Sequence, residues 1–261
     1  WWMDAGWYIQ ETGWPQVGTW EVDPKRFPDG FKPISKHAHE KGIKILVWFE
    51  PERVAGGTWL TENHPEWIFG GAKGGLLNLG NDEAREWLTN HIDKLLTEQG
   101  IDLYRQDFNM DPLQFWRDND AAVAPAGDRQ GITEIRHVTG YLAYWDELRR
   151  RHPNMLIDSC ASGGRRNDLE TMRRAVPLWR SDYAFEPIGH QGMTYGISLW
   201  LPFHGTGTVA CVDAPYYGGG LTPVQPYAFW SNVAPSTNCG FDMRVKEIDY
   251  SALRKLFNAY R

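Results

Sequence analysis

The 261-residue chain reads as an α/β protein of the (β/α)8, TIM-barrel type. Three observations predict this. Apolar strand-like runs alternate with amphipathic helical stretches, the pattern of repeated β-α units on a parallel sheet. One such barrel uses about 250 residues, so a single domain over residues 1–261 fits the length. Several of the strand-like runs also end on an acidic residue, and the carboxyl ends of barrel strands open into one shared mouth.

The elements follow in order. Trp1 to Met3 reads as the tail of a strand, followed by a long loop through Asp29. Phe31 to Lys41 is predicted as a helix that Gly42 stops. Ile43 to Phe49 is a buried strand opening into Glu50-Pro51-Glu52-Arg53. Asp82 to Gln99 is a helix capped by Asn81 or Asp82, with acids in its first turn and Gly100 at its end. Ile101 to Asp107 is the next strand, and Thr133 to Arg151 a long helix with Trp145 and Leu148 inward and a basic last turn. Met155 to Ser159 is a strand, Asp168 to Arg174 a short helix, and Leu178 to Asp182 a strand. Ile197 to Pro202 and Tyr227 to Asn232 are further strand candidates crowded by Pro and Gly. The helix Tyr250 to Tyr260 closes the chain. These strand candidates fall one short of the eight a closed barrel needs. With a chain that opens inside a strand, this predicts a fragment lacking the first β-α unit and flanking domains.

Composition removes several function classes. A formal charge of −6 and a pI near 5.8 argue against nucleic acid as partner. No apolar run approaches the roughly 18 residues of a membrane span, so no membrane partner is expected. Cys160, Cys211 and Cys239 are too few and too scattered for a disulfide framework or a CxxC metal site, and their odd number leaves a free thiol. The chain carries 14 Trp and 11 Tyr, rings that fill cores or stack on the C–H face of a sugar. Trp1, Trp2, Trp7, Trp14 and Trp20 lie too close together, among Gly and Pro, all to be core.

The acids carry the chemistry. Asp107 ends one strand, and Arg105, two residues earlier, shares its side of the pleat. A neighbouring guanidinium keeps a carboxylate ionised, which suits Asp107 to attack an anomeric carbon. Asp182 ends a strand two further on, beside Trp179 and Tyr183. Partial burial and a second carboxylate raise a pKa, which suits Asp182 to donate a proton, although a salt bridge to Arg180 would serve structure alone. Two carboxyls on one sugar are what glycosidic cleavage requires. Asp4, in Met3-Asp4-Ala5-Gly6-Trp7, suits hydroxyl binding. Glu50 and Glu52 end a strand beside Trp48, as either a binding pair or a loop held by Arg53. Asp158 to Gly164 is another strand end, running into a small-residue turn that would let ligand approach the backbone. His37-Ala38-His39 resembles a metal HxH motif, but on a helix i and i+2 diverge. Gly163-Gly164-Arg165-Arg166 lacks the phosphate-loop pattern.

Together these segments resemble the catalytic barrel of glycoside hydrolase family 36, the melibiase-type α-galactosidases of clan D. The resemblance covers nearly the whole chain. It is carried in the family's order by Trp2-Met3-Asp4-Ala5-Gly6-Trp7, Phe27-Pro28-Asp29-Gly30, Trp48-Phe49-Glu50-Pro51-Glu52, His64-Pro65-Glu66-Trp67, Arg105-Gln106-Asp107-Phe108-Asn109, Cys160-Ala161-Ser162-Gly163-Gly164 and Trp179-Arg180-Ser181-Asp182. It implies a retaining double displacement without metal or organic cofactor, Asp107 as nucleophile and Asp182 as general acid/base. Asp4 would hold the sugar's 4- and 6-hydroxyls, and Cys160 and Gly163 would lie near the 2-position. Trp7, Trp48, Glu50, Arg105, Asn109, Arg166 and Trp179 would complete the substrate site, with Arg166 and Asp168 matching an Arg-x-Asp pair. The family's barrel typically lies between a β-sandwich and a small β domain.

Two departures bear on substrate. Ala5 stands where the family often has a second Asp, and Arg105-Gln106 stand where it often has Lys-Trp. Arg for Lys keeps a cation but changes the hydrogen-bond fork, while Gln for Trp trades an apolar wall for an amide. The expected partner is therefore an oligosaccharide or glycoconjugate ending in α-linked galactose, or N-acetylgalactosamine; a homo-oligomer is compatible with the sequence. Transfer of the raffinose/stachyose synthase type, a non-catalytic sugar-binding barrel and a metal-dependent amidohydrolase are the competing readings.

Overall fold

A computed structural model of the chain describes residues 1–125, 127–183, 187–208, 224–239 and 243–261. The contacts divide it into two units, Trp1–Ala161 with Asp168–Ala175, and Ser162–Asn167 with Val176–Arg261.

The first unit runs β1 (Trp2–Met3), α1 (Lys32–Glu40), β2 (Leu46–Phe49), β3 (Arg53–Ala55), α2 (Trp59–Asn63), β4 (Ile68–Phe69), β5 (Gly74–Leu77), α3 (Asp82–Gln99), β6 (Leu103–Gln106), α4 (Leu113–Val123), α5 (Ile132–Arg151), β7 (Leu156–Ser159) and α6 (Leu169–Met172). Its main sheet is parallel, in the order β1-β2-β6-β7. All four residues of β2 are buried, as expected of a parallel strand covered on both faces. In register, Trp48 lies opposite Arg105, and Arg105 opposite Asp158. Helix α3 has the predicted bounds. Asn81 accepts from the Glu83 and Ala84 amides, and Gly100 ends the helix in the left-handed region, where a residue without Cβ is unstrained. Ala84, Leu88, Ile92 and Leu96 form the buried stripe of α3, spaced at helical period.

A small antiparallel sheet, β3-β5-β4, is absent from the sequence reading; its strands are too short for a legible alternation. The core is aromatic: Trp7, Tyr8, Trp20, Phe31, Trp48, Phe49, Tyr104, Tyr144 and Trp145 are all shut off from solvent. Of the clustered N-terminal tryptophans, Trp7 and Trp20 are core, while Trp1 and Trp14 are exposed.

The second unit holds α7 (Pro187–Ser198), β8 (Gly205–Thr208), α8 (Pro226–Asn232), β9 (Ser236–Cys239) and α9 (Tyr250–Tyr260). Strands β8 and β9 pair in parallel. Three strand expectations are corrected here. Ile197 and Ser198 end α7, and the strand comes later, at β8. Tyr227–Asn232 is helix α8, started by Pro226 in its first turn, where the missing N–H costs nothing. Short apolar runs do not separate strand from buried helix. Leu178–Asp182 forms no regular strand, though the Arg180 amide donates to the Gly205 carbonyl and the Gly205 amide to Pro177. Cys160 is buried and Cys239 is exposed; Cys211 lies outside the described residues. Among these residues no helix is long and apolar enough to cross a membrane.

Candidate active site

In the first unit, β6 delivers Asp107 just past its carboxyl end. The pleat sends Arg105 and Asp107 one way and Tyr104 and Gln106 the other. Asp107 is 8% exposed. Its Oδ2 accepts from Trp48 Nε1 at 3.1 Å and Asn109 Nδ2 at 2.9 Å, and its Oδ1 from the Phe108 amide at 2.7 Å. Donors on both oxygens fix the plane of the carboxylate. Trp48 is itself held, its carbonyl accepting from Trp7 Nε1 at 2.7 Å.

Glu50 lies behind this carboxylate. Arg53 grips it with Nε at 2.9 Å and Nη2 at 2.5 Å, and the Asn109 amide donates to its Oε1. Asn109 therefore bridges Glu50 and Asp107. Burial pushes the Glu50 pKa up, opposed by Arg53 and the Asn109 amide and aided by the nearby Asp107 charge. Asp4 is exposed, and its Oδ1 accepts from the Ala5 amide at 2.8 Å.

The remaining predicted residues of this unit are Arg105, Trp7 and Cys160. Arg105 binds Asp158 across β7, at 2.5 Å with both side chains buried, and lies over the Trp2 ring at 4.7 Å. Its Nε finds no acceptor among the described residues. Burial works against the guanidinium charge, but Asp158 foremost, then Cys160, Asp107 and Asp4, hold its pKa well above the usual value. Arg105 thus acts on Asp107 through its field, while its ion-pair partner is Asp158. Trp7 is 2% exposed, among Tyr8, Trp20, Phe31 and Phe49; it can reach a ligand only through Trp48. Cys160 is buried at the end of β7, its amide bonded to the Gln106 carbonyl at 2.8 Å.

The Gln106 amide lies on the other side of the strand from Asp107. It faces the helices, donating to Glu52 at 2.8 Å and accepting from Tyr104 Oη at 2.7 Å and Trp145 Nε1 at 2.8 Å. Glu52 continues to His137 at 2.8 Å. Arg53 holds Glu50 rather than Glu52. This buried network joins β6, α5 and the turn after β2, and sequence spacing gives no sign of it because its members are far apart in the chain.

In the second unit Asp182 is exposed, and Trp179 Nε1 donates to its Oδ1 at 3.0 Å. Arg180 is buried and turns away, its Nη1 to His204 Nδ1 at 3.1 Å and its Nη2 to the His190 carbonyl at 3.2 Å. Burial lowers its pKa to about 10. A guanidinium only donates, so His204 must accept at Nδ1 and donate from Nε2 to Ser198 Oγ, 3.1 Å away. Burial, then Arg180, push the His204 pKa down to about 4. Gly163 has φ 85°, and a Cβ there would lie 2.8 Å from the Asp182 amide nitrogen. The glycine turn thus admits the Asp182 backbone. Arg166 is half-buried. Asp168 caps α6 through the Thr171 amide at 3.0 Å and hydroxyl at 2.8 Å.

His37 and His39 sit on α1, where His39 Nε2 meets Asp102 at 2.8 Å. Among the described residues no group of His, Cys, Asp and Glu could hold a metal ion.

A family model described as melibiase matches residues 1–259. Alpha-galactosidase Mel36A of Lactobacillus acidophilus is 29% identical over 243 residues, covering 88% of this chain and 32% of that protein. An alpha-galactosidase of Escherichia coli is 30% identical over 189 residues, 69% of this chain and 25% of that one. The chain thus spans about a third or less of the length of these relatives. Among solved structures, a variant of the GH36 alpha-galactosidase AgaA of Geobacillus stearothermophilus in complex with stachyose superposes with TM-score 0.83 at 21% identity, over 99% of this chain and 36% of that one. The alpha-galactosidase of Lactobacillus brevis gives 0.77 at 22%, over 99% and 35%. At these identities the likeness shows the fold alone, and it is the predicted class, α/β of the (β/α)8 type.

Proposed function

The chain belongs to the melibiase family, and from that premise we propose that it supplies the catalytic machinery of a retaining exo-glycosidase hydrolysing terminal α-linked galactose. The observation that carries this reading is the Asp107 carboxylate, buried at a strand end and oriented by Trp48, Asn109 and the Phe108 amide. In the proposed reaction Asp107 attacks the anomeric carbon, and the glycosidic oxygen leaves with a proton from Asp182. Water, giving a proton back to Asp182, then attacks the same carbon, releases Asp107 and restores the original configuration. Asp4 binds sugar hydroxyls from the first unit; Trp48, Asn109 and Glu50 orient the nucleophile; Arg105 supplies positive potential.

The family match and the names of the relatives support galactose as the sugar, and stachyose in one neighbouring structure supports an oligosaccharide. Ala5, in place of a second carboxylate, keeps N-acetylgalactosamine in the substrate panel. We also propose that residues 1–261 are the catalytic part of a longer protein with flanking β domains. The test is a panel of aryl α-glycosides on the full-length protein. Turnover of the α-galactoside or its N-acetyl analogue is expected, and Asp107→Ala should reduce kcat by orders of magnitude. Azide should restore part of the rate and yield a β-glycosyl azide. Unchanged turnover in Asp107→Ala refutes the nucleophile, and transfer to added acceptor sugar in place of hydrolysis identifies a transferase.

A further inference from the structure

Trp14 plays no part in the site as described, yet it is held beside it. The residue is 47% exposed. The Arg53 guanidinium lies over its ring at 5.4 Å, and its ring meets Trp48 edge-on, at 6.2 Å between centroids. Its Cβ sits 3.6 Å from the point a Cβ on Gly6 would occupy, so it packs on the segment that carries Asp4. The main chain around it is fastened as well. Tyr8 Oη donates to the Trp14 carbonyl, and Arg53 Nη1 donates to that of Pro15 at 2.8 Å. Gln16 Oε1 accepts from the Glu11 and Thr12 amides, and Gln10 Oε1 from Gly13.

An exposed tryptophan on a loose loop would need no explanation. Here one ring is pinned by a cation, by a second indole and by its own backbone, with much of its surface open to water. Its neighbours are Trp48, which donates to Asp107, and the Asp4-Ala5-Gly6 turn. A flat, pre-ordered indole next to a hydroxyl-binding carboxylate and a nucleophile matches a pyranose, which presents hydroxyls on its edge and C–H bonds on its face.

We propose that Trp14 is a binding residue for the glycone, its open face stacking on the C–H face of the hexose that Asp107 attacks, with Arg53 holding the ring in place. The inference rests on the glycosidase reading above. It also gives Arg53 two tasks, gripping Glu50 on one side and steadying Trp14 on the other.

The test measures galactose binding to the full-length protein by calorimetry, alongside turnover of an aryl α-galactoside, for the parent, Trp14→Ala and Trp14→Phe. Loss of the ring should weaken galactose binding and raise KM about tenfold, the change that about 1.4 kcal/mol of ring–sugar contact produces. The unfolding midpoint and kcat should move little, and Trp14→Phe should recover most of the affinity because a flat face remains. Parent-like affinity in Trp14→Ala overturns the inference. So does Trp14→Phe binding no better than Trp14→Ala, since the ring would then matter only for packing. Binding without turnover in the parent leaves the platform standing and sinks the glycosidase reading; no binding by the parent overturns both.

Discussion

Arg105 and Asp158 are both cut off from solvent and meet at 2.5 Å. Removing one member of a buried pair strands the other's charge, at a cost of about 3–5 kcal/mol. Asp158→Asn should therefore lower the unfolding free energy by that margin, read as a lower urea midpoint at unchanged slope, and it should also disturb turnover, because Arg105 contributes to the potential around Asp107. His204 makes a different prediction. Its folded pKa of about 4 lies below the ordinary 6.5, so below that ordinary value the unfolded chain binds the proton that the folded chain refuses. Its contribution to stability is present above pH 6.5 and is lost as pH falls toward 4. Denaturant midpoints measured across that window should fall with acidification, and His204→Asn should flatten the fall if it folds as the parent does.

At the level of elements, legibility followed how local the signal was. Helix α3 was read to the residue because Asn81 and Gly100 mark its ends and its apolar stripe keeps helical period. Helix α9 was read equally well, with Asp249 accepting from the Ala252 amide. Tyr227–Asn232 was misread because six residues of mixed aromatic and polar character satisfy either period, and only Pro226 hinted at a helix start. Helix α5 carries a feature that no local signal reveals. A Cβ on Gly140 would collide with the Leu79 carbonyl, so the helix approaches the turn before α3 at a distance only glycine allows. Gly140→Ala gains about 1 kcal/mol of helix propensity but overpacks a buried contact at about 1–3 kcal/mol. The net effect should be a lower unfolding midpoint, where the same change at an exposed helical glycine raises it.

Across the whole molecule, the parallel β-α order and the acids at strand ends were visible in the sequence, because alternation and strand-end carboxylates are one-dimensional patterns. The partners of those acids were not. Pleat geometry places Arg105 on the side of Asp107, and register with β7 shows that its ion-pair partner is Asp158. Gln106 stands where the family often has an apolar wall, and its amide completes the network of Glu52, Trp145 and Tyr104. Both partnerships come from pairing between segments some fifty residues apart, a distance over which sequence spacing is silent.

The indole proton of Trp7 ends on the backbone of Trp48, whose own indole proton ends on Asp107. This two-step line runs from the greasy middle of the first unit straight to the carboxylate proposed as nucleophile. Variants that loosen the surroundings of Trp7 should lose reaction rate before they lose their fold. Selection for catalytic speed would then police residues no sugar ever touches.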